Sequence, residues 1–268
     1  MRELERQSDD TRPRLEALGG PTRIGVVGRG RLGRALASAL AAAGYEVAGP
    51  AGRDELPAGE AIVLCVPDRE IEVAARAVAG AATFVGHTSG ATPLGALAPA
   101  QRAGAQAFAL HPLVSVPGEG ARFEGVGCAV AGSTPAALAF VEATARRLGM
   151  SPFAIDDEQR AAYHAAASIA SNFLVTLEAA AEALLAATGL DAAHGRALLA
   201  PLVRSSVENW AALGPRRALT GPVARGDEAT IALQREAVAA ACPELVPLFD
   251  AMVERTRALV AEPVGMVA

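Results

Sequence analysis

The sequence predicts an α/β domain with a mostly parallel sheet, followed by an all-α domain. Up to Ile155, short apolar runs alternate with alanine-rich stretches of helical character, as in parallel strands joined by crossover helices. After Asp156 the strand-like runs end, and nearly all of the remaining chain has helical character. We therefore predict a flexible segment over residues 1–21, the α/β domain over 22–156 and the helical domain over 157–268.

Six apolar runs are the predicted strands of the first domain. They are Arg23–Val27, Glu46–Ala48, Ala61–Val66, Thr83–Gly86, Ala105–Leu110 and Cys128–Ala131. The last helix of this domain begins after Ser133 or Thr134 and ends at Gly149, because glycine is common just past a helix C-terminus. The helices predicted for the second domain run from Asp156 to Thr188, from Asp191 to Leu213, from Asp227 onward and from Pro243 onward, and residues 214–227 are predicted as a loop.

The composition excludes several classes of protein. With 51% hydrophobic residues over 268 positions the chain can bury a sizeable core, and a net charge of -5 without a basic block argues against a nucleic-acid partner. The chain contains no lysine, which excludes Schiff-base chemistry and a lysine proton donor. The three cysteines are far apart in sequence, so we predict reduced thiols in a cytoplasmic protein. No run is apolar enough to predict a membrane span; Ala161–Leu177 comes nearest but contains many small and polar residues.

A glycine-rich turn, GRGRLG, follows the first predicted strand and opens a helix. Its three glycines have the spacing of a dinucleotide-binding turn, the fingerprint of a Rossmann domain. The first permits the tight turn, the second lets a pyrophosphate approach the backbone, and the third lets the helix pack on the strand. The alternative is a tight turn without a ligand. The predicted cofactor-binding residues of this stretch are Gly28, Arg29, Gly30, Arg31, Leu32 and Gly33.

The residues around the second strand favour NADP over NAD. An NAD site usually carries Asp or Glu at the tip of that strand, whereas here the tip is Ala48–Pro50. Arg53 and the arginines of the glycine turn lie nearby, and guanidinium groups pair well with a 2′-phosphate. Asp54 and Glu55 would repel such a phosphate. The alternative for Arg31 and Arg34 is that they are solvated charges on the exposed face of the helix.

The uncharged stretch Ala161–Leu177 predicts a helix that is covered on most of its sides. His164, Ser168 and Asn172 recur every four residues and therefore share one side of that helix. An imidazole can give a proton to a developing alkoxide near neutral pH, which makes His164 the predicted acid. Ser168 and Asn172 can hold a substrate oxygen or carboxylate. The alternative is a set of hydrogen bonds between helices or in a dimer interface.

The exit of the third strand gives further cofactor-binding candidates. Ligands of open parallel sheets bind at the carboxyl ends of the strands. Val66, Pro67 and Asp68 follow that strand, so we predict that they lie near the sugar and nicotinamide of the cofactor. The alternative is an ordinary strand exit made rigid by proline.

Later strands and a glycine–proline turn supply the predicted substrate contacts. Thr88, Ser89 and His111 follow two neighbouring strands and should reach the same sheet edge. Arg225 lies in TGPVARGD, where it can contact an anion or belong to a structural loop. The histidines have no HxH or HExxH spacing, so we predict no metal.

Six motifs together resemble the family of Rossmann-like proteins with a DUF2520 C-terminal domain. They are GRGRLG, VPD, HTSG, HPL, YHAAASIASN and ALTGPVARGD, and they span about residues 22–240. The family is related to the superfamily of pyrroline-5-carboxylate reductase, 6-phosphogluconate dehydrogenase and ketopantoate reductase. The resemblance implies an NAD(P)-binding Rossmann domain, a helical domain like the C-terminal domain of 6-phosphogluconate dehydrogenase, a homodimer, and reduction of a small molecule.

One residue departs from the wider superfamily that the resemblance brings in. β-Hydroxyacid dehydrogenases place a lysine four residues before an asparagine on this helix, and Ser168 stands there instead. Either His164 supplies the proton, or the chain does not carry out this chemistry. We predict NADP-dependent reduction of a small 2-oxo acid such as ketopantoate. Two alternatives stay open: NADP binding without redox turnover, and an imine reductase of the pyrroline-5-carboxylate reductase type.

Overall fold

The computed structural model describes residues 20–118 and 120–261. The chain divides into two compact units, one ending at Ile169 and the other beginning at Ala170. This division falls after the boundary predicted near residue 156, which stays a prediction. The flexible segment predicted for residues 1–21 lies outside the described residues except for its last two positions.

The first unit is built on one seven-stranded sheet. Its strands are β1 (Arg23–Val27), β2 (Glu46–Ala51), β3 (Ala61–Leu64), β4 (Phe84–His87), β5 (Gln106–Pro112), β6 (Gly127–Gly132) and β7 (Ser151–Ala154). Their spatial order is β2-β1-β3-β4-β5-β6-β7, and every neighbouring pair is parallel except β5 and β6. The prediction of an α/β domain with a mostly parallel sheet is confirmed.

Helices cover both faces of this sheet. They are α1 (Arg31–Ala42), α2 (Ile71–Ala77), α3 (Ala98–Arg102) and α4 (Pro135–Arg147), and α5 (Arg160–Ser168) follows the last strand. Successive residues of a strand point to opposite faces. Val26 accordingly joins the core beneath α1 and α4, whereas Val27 joins the core beneath α2 and α3. Burial on both faces explains why these strands are continuous apolar runs in the sequence.

Strand β7 is absent from the prediction because its sequence carries little strand signal. It has only four residues, includes Pro152 and is mostly exposed. Proline cannot donate a ladder hydrogen bond, so it is tolerated at the edge of a sheet. There β7 pairs in parallel with β6 alone.

The second unit is helical throughout the part of it that the structure describes. Its helices are α6 (Leu174–Ala186), α7 (Ala192–Leu213), α8 (Pro215–Ala218), α9 (Pro222–Arg225), α10 (Glu228–Ala241) and α11 (Val246–Ala261). The prediction of an all-α C-terminal part is confirmed.

Two predictions about these helices are wrong in detail. The predicted loop 214–227 contains α8 and α9, which both start at a proline directly after a glycine with positive φ. Proline is favoured at the first position of a helix, where its missing N–H is not needed. The helix predicted to run to Thr188 is interrupted by a π-helical turn at Ile169–Phe173. Such a turn needs neither glycine nor proline, so the sequence holds no signal for it.

Candidate functional site

The glycine turn after β1 has the geometry that a dinucleotide requires. Gly28 has φ +113°, and a Cβ there would lie 2.1 Å from the carbonyl oxygen of Cys65. A Cβ on Gly33 would lie 1.9 Å from the carbonyl oxygen of Gly28. A Cβ on Gly30 would meet nothing within 4 Å. The first and third glycines therefore permit close packing of the protein itself, and the second faces open space where a pyrophosphate can approach.

The N-terminus of α1 is suited to an anion. Its N-cap residue is Gly30, no side chain caps it, and its first turn contains no acidic residue. The first N–H groups of a helix lack intrahelical partners, and the helix dipole favours negative charge there. Arg31 is exposed at this end, whereas Leu32 packs against the core and offers only its backbone.

A cavity of about 530 Å³ lies at the carboxyl ends of β1 and β3, where the strand order reverses. Such a switch point is where open α/β sheets bind their ligands. Val66 and Pro67 line the cavity together with Gly28, Arg29 and the segment after β2. Asp68 is the exposed first residue of the 3₁₀ turn that follows. The cavity, the open Gly30 and the uncapped helix together fit a dinucleotide.

The charged groups of this cavity are paired with one another. Arg29 Nη2 donates to both carboxylate oxygens of Glu55, at 2.6 and 2.7 Å. The Gly52 N–H, and after it Arg29, hold the pKa of Glu55 below its usual value. Arg53 is largely exposed and lies 3.5 Å from a carboxylate oxygen of Glu70. Glu55 is expected from the sequence to repel a 2′-phosphate. In the structure it pairs with Arg29, which is one of the arginines expected to bind that phosphate.

Three of the four histidines of the chain lie together in the first unit. His87 ends β4 and is fully buried, and its Nδ1 accepts the Ser89 N–H at 3.2 Å. The ring of His111, on β5, contacts that of His164, on α5, with 5.8 Å between centroids. A Cβ placed on Gly90 would lie 2.7 Å from His164 Nδ1 and 2.9 Å from His111 Nε2. A side chain at this glycine would therefore block both imidazoles.

A buried arginine lies close enough to affect two of these histidines. The Arg160 side chain is 1% exposed, and its Nε donates to Asp157 Oδ1 at 2.8 Å. Its two terminal amino groups have no hydrogen-bond partner among the described residues. Burial, first, and the charge of Arg160, second, lower the pKa of His87 to about 4. Burial, then the charges of His164 and Arg160, lower the pKa of His111 to about 4. At neutral pH both imidazoles are neutral, and the guanidinium is the permanent charge beside them.

The hydroxyl groups of Thr88 and Ser89 are engaged within the first unit. Ser89 Oγ accepts the N–H groups of Ala91 and Thr92 and donates to Thr92 Oγ1 at 2.9 Å. Thr88 Oγ1 donates weakly to the carbonyl of Leu64, at 3.4 Å. The predicted substrate contacts of these two residues stay predictions, and Ser89 has a structural role in the turn.

The remaining predicted residues lie in different parts of the chain. Ser168 is the half-buried last residue of α5 in the first unit. Asn172 is exposed in the π-helical turn of the second unit, and its carbonyl accepts the Thr176 hydroxyl at 3.2 Å. Arg225 is the exposed last residue of α9. The roles predicted for all three stay predictions.

No pattern in the sequence singles out Tyr163 or Arg160. Tyr163 Oη lies 2.7 Å from His111 Nδ1, although the two residues are 52 positions apart. Arg160 looks like an ordinary first-turn arginine until its burial is seen. The sequence holds one signal that could have found them, because both residues lie within four positions of His164 at the start of an otherwise uncharged helix.

We expect the protein to lose stability as the pH falls from 6.5 toward 4. In the unfolded chain His87 and His111 have their ordinary pKa of 6.5, whereas in the folded protein the pKa of each is about 4. Between these values the unfolded chain binds protons that the folded chain does not, so the free energy of unfolding decreases by about 2 kcal/mol per histidine between pH 7 and 5. Urea unfolding at several pH values measures this slope.

A matched pair of variants isolates the contribution of one buried histidine. His111→Gln should reduce the slope, while His194→Gln should leave it unchanged, because the His194 side chain is 77% exposed. Equal slopes in both variants would contradict the neutral state of His111.

Two further features of the described residues bear on function. They contain no group of three or more His, Cys, Asp or Glu side chains that could hold a metal ion. One helical run among them, Asp157–Ala186, has the length and mean hydropathy of a membrane span and is not buried.

The sheet order, the glycine turn and the cavity at the switch point are those of a Rossmann-type domain. The model of a Rossmann-like domain matches residues 51–112, and the model of the domain of unknown function DUF2520 matches residues 126–256. The chain therefore combines a Rossmann-like domain with a DUF2520 domain, and the family predicted from its motifs is confirmed. No curated protein matches the chain in sequence.

Solved structures share this fold over most of the chain. A protein of Bacteroides fragilis assigned to the NADP oxidoreductases has 21% identity and a TM-score of 0.75, covering 88% of this chain and 98% of its own. A protein of Thermotoga maritima has 25% identity and a TM-score of 0.70, with the same coverage. A reductive aminase of Aspergillus terreus, in complex with NADPH and ethyl levulinate, has 17% identity and a TM-score of 0.63, covering 90% of this chain and 99% of its own.

Proposed function

We propose that this protein is an NADP(H)-dependent oxidoreductase that reduces a small 2-oxo acid, with ketopantoate as the first substrate to test. The observation that carries the proposal is the sheet edge formed by the ends of β1, β3, β4 and β5. At this edge the proposed dinucleotide cradle lies on the same sheet as His87 and His111, and His164 of α5 contacts His111. The solved structures with the same fold include NADPH-binding reductases, which supports the class of reaction.

The residues of the cradle have distinct roles in this proposal. The N-terminus of α1 and the open Gly30 hold the pyrophosphate, and Arg29, Arg31 and Arg53 face the 2′-phosphate. The bound cofactor would supply a hydride to the carbonyl carbon of the substrate. His164 gives a proton to the carbonyl oxygen, and Ser168 of the same helix orients the substrate. The role predicted for Asn172 stays a prediction.

The charge beside the histidines favours a substrate with a carboxylate. His87 and His111 are neutral at pH 7, so Arg160 supplies the fixed positive charge near them. One carboxylate, that of Asp157, pairs with this guanidinium, and it also accepts the Leu94 N–H. Unpaired donors of a buried cation are costly, and an anionic substrate would offset part of that cost.

The test is consumption of NADPH by the purified protein with a panel of 2-oxo acids, including ketopantoate, and a matched panel of cyclic imines. We expect oxidation of NADPH with at least one 2-oxo acid and faster turnover than with any imine. Tight binding of NADPH without consumption in either panel would overturn the proposal and favour a binding protein without redox turnover. Consumption with imines alone would favour an imine reductase, which agrees with the absence of lysine because an imine needs less proton donation.

The pairing of Arg29 with Glu55 gives a test of the preference for NADP. Glu55→Gln removes the carboxylate that holds Arg29, so the guanidinium becomes free to pair with a 2′-phosphate. We expect NADPH to bind about two- to fivefold more tightly, with NADH unchanged. Isothermal titration of both cofactors measures the two dissociation constants.

The control for this experiment is Glu72→Gln. Glu72 also pairs with an arginine, Arg76 at 3.0 Å, but it does not line the cavity. This variant should leave both affinities unchanged. A Glu55→Gln protein that gains affinity for NADH as much as for NADPH would contradict a role for Arg29 in reading the 2′-phosphate.

We propose further that the protein is a cytoplasmic homodimer formed through the helical unit. Large apolar side chains of this unit are at least 56% exposed; they are Phe173, Val175, Leu198, Leu202, Trp210 and Leu233. Exposed apolar surface of this extent is typical of an interface. We expect light scattering to give the mass of a dimer, and Leu202→Glu to weaken it while Leu113→Glu in the first unit does not. A monomer at micromolar concentration, or recovery in the membrane fraction, would contradict this.

A further inference from the structure

Tyr163 and His111 form a hydrogen-bonded pair, and the proposed function assigns no role to Tyr163. Tyr163 Oη lies 2.7 Å from His111 Nδ1, and the two rings meet edge to face with centroids 5.4 Å apart. The tyrosine ring also contacts Phe153 at 5.8 Å, which restricts its orientation. The distance is that of a strong hydrogen bond between an oxygen and an aromatic nitrogen.

The direction of this hydrogen bond follows from the charge states and partners of the two groups. Burial raises the pKa of Tyr163 to about 12 and, with the neighbouring charges, lowers the pKa of His111 to about 4, so both are neutral at pH 7. Among the described residues, the Tyr163 hydroxyl has no other hydrogen-bond partner. If His111 Nδ1 carried the proton, the phenolic hydrogen would be left without an acceptor in a half-buried site, which is costly. The tyrosine therefore donates, and Nδ1 accepts.

The other nitrogen of His111 then carries the hydrogen and faces the space beside Gly90. A Cβ on Gly90 would lie 2.9 Å from His111 Nε2 and 2.7 Å from His164 Nδ1. Gly90 therefore packs close to both nitrogens, and a side chain at this position would clash with them. His164 Nδ1 is itself buried without a hydrogen-bond partner among the described residues. Two imidazole nitrogens thus lie close to Gly90, and one of them is a neutral N–H donor.

We propose that Tyr163 is a positioning residue that fixes His111 in the Nε2–H form, so that His111 donates a hydrogen bond to the substrate oxygen while His164 supplies the proton. Which nitrogen of a histidine carries hydrogen is set by the hydrogen bond that the other nitrogen makes. A neutral imidazole held in this form stabilises the negative charge that develops on a carbonyl oxygen without competing for its proton. The assignment of the hydrogen to Nε2 stands on the contact between Tyr163 and His111 and does not depend on the proposed function, whereas its effect on turnover rests on that function.

The tautomer is measured directly by nitrogen NMR of protein labelled with ¹⁵N-histidine at pH 7. We expect the His111 resonances to show hydrogen on Nε2 in the unchanged protein. In Tyr163→Phe, which keeps the ring but loses the hydroxyl, we expect a mixture of the two tautomers. Tyr45→Phe is the matched control, because Tyr45 is the other tyrosine of the chain and hydrogen-bonds Thr144 in the core. It should leave the His111 resonances unchanged.

The kinetic measurement uses the same variants with NADPH and the best 2-oxo acid. Loss of one orienting hydrogen bond should lower kcat about fivefold in Tyr163→Phe, with KM little changed, and Tyr45→Phe should keep the full kcat. Hydrogen on Nδ1 of His111 in the unchanged protein, or a tautomer unaffected by Tyr163→Phe, would overturn the positioning role. An unaltered kcat beside a changed tautomer would overturn the role of His111 as donor. If no 2-oxo acid is reduced at all, the proposed function fails while the tautomer measurement still decides the role of Tyr163.

Discussion

Gly30→Ala is expected to weaken the binding of NADPH at least about tenfold while leaving the thermal stability of the protein unchanged. A methyl group at this position meets no protein atom within 4 Å, and the backbone φ of Gly30 is -69°, which any residue adopts. The methyl would instead occupy the space through which a pyrophosphate approaches the N-terminus of α1. Thermal unfolding with and without NADPH measures both quantities on one sample, because a ligand that binds the folded state raises the melting temperature.

The control for this substitution is Gly95→Ala. Gly95 also has no atom within 4 Å of its Cβ position and lies in the 3₁₀ turn Leu94–Leu97, outside the cavity. It should keep both stability and affinity. Gly33→Ala should behave differently from both, because its Cβ would lie 1.9 Å from the Gly28 carbonyl oxygen and must displace α1. Undiminished NADPH binding in Gly30→Ala would remove the glycine turn from the cofactor site.

His164→Ala is expected to lower kcat about 100-fold with NADPH and the best 2-oxo acid. The chain has no lysine to replace the lost proton donor. His111 cannot replace it either, because its pKa of about 4 leaves it neutral and a poor acid at pH 7. The affinity for NADPH, measured by titration, should be unchanged, since His164 does not line the cofactor cavity.

His194→Ala is the matched control for this measurement. His194 is exposed in the second unit and pairs with Asp191, the N-cap residue of α7. Its removal should leave kcat within about twofold of the unchanged protein. Full turnover in His164→Ala would contradict the role of His164 and assign the proton donor elsewhere.

The parts of the fold that were predictable depend on local patterns. The strand–glycine turn–helix at Arg23–Ala42 follows from an apolar run, three glycines and a helical period, all within 20 neighbouring residues. The capping box formed by Asp156 and Gln159 is likewise a local pattern, because capping involves neighbouring residues. Strand β7 was missed because its pairing with β6 compensates for a weak local sequence.

The candidate site was predictable by residue type and strand position but not by contact. The sequence predicts that Thr88, Ser89 and His111 follow neighbouring parallel strands. In the structure β4 and β5 are indeed adjacent. The sequence does not show whether the polar groups of these residues are available to a substrate. The Ser89 hydroxyl accepts hydrogen bonds from N–H groups of its own turn. The sequence does not predict Arg160 as a site residue, because the burial of an arginine in the first turn of a helix depends on the residues that pack over it.

The sequence by itself determined the class of this protein: an α/β Rossmann-like domain followed by a helical DUF2520 domain, with a glycine turn between the first strand and the first helix. These features depend on the period of apolar residues, on the spacing of the glycines and on the conformational freedom of the glycine backbone. All three act between residues that are close in sequence. Only the tertiary structure decided that Glu55 holds Arg29, 26 residues away, and that Tyr163 holds His111, 52 residues away. Hydrogen bonds and ion pairs form between whichever groups the packed sheet brings within about 3 Å, and no local pattern specifies those partners.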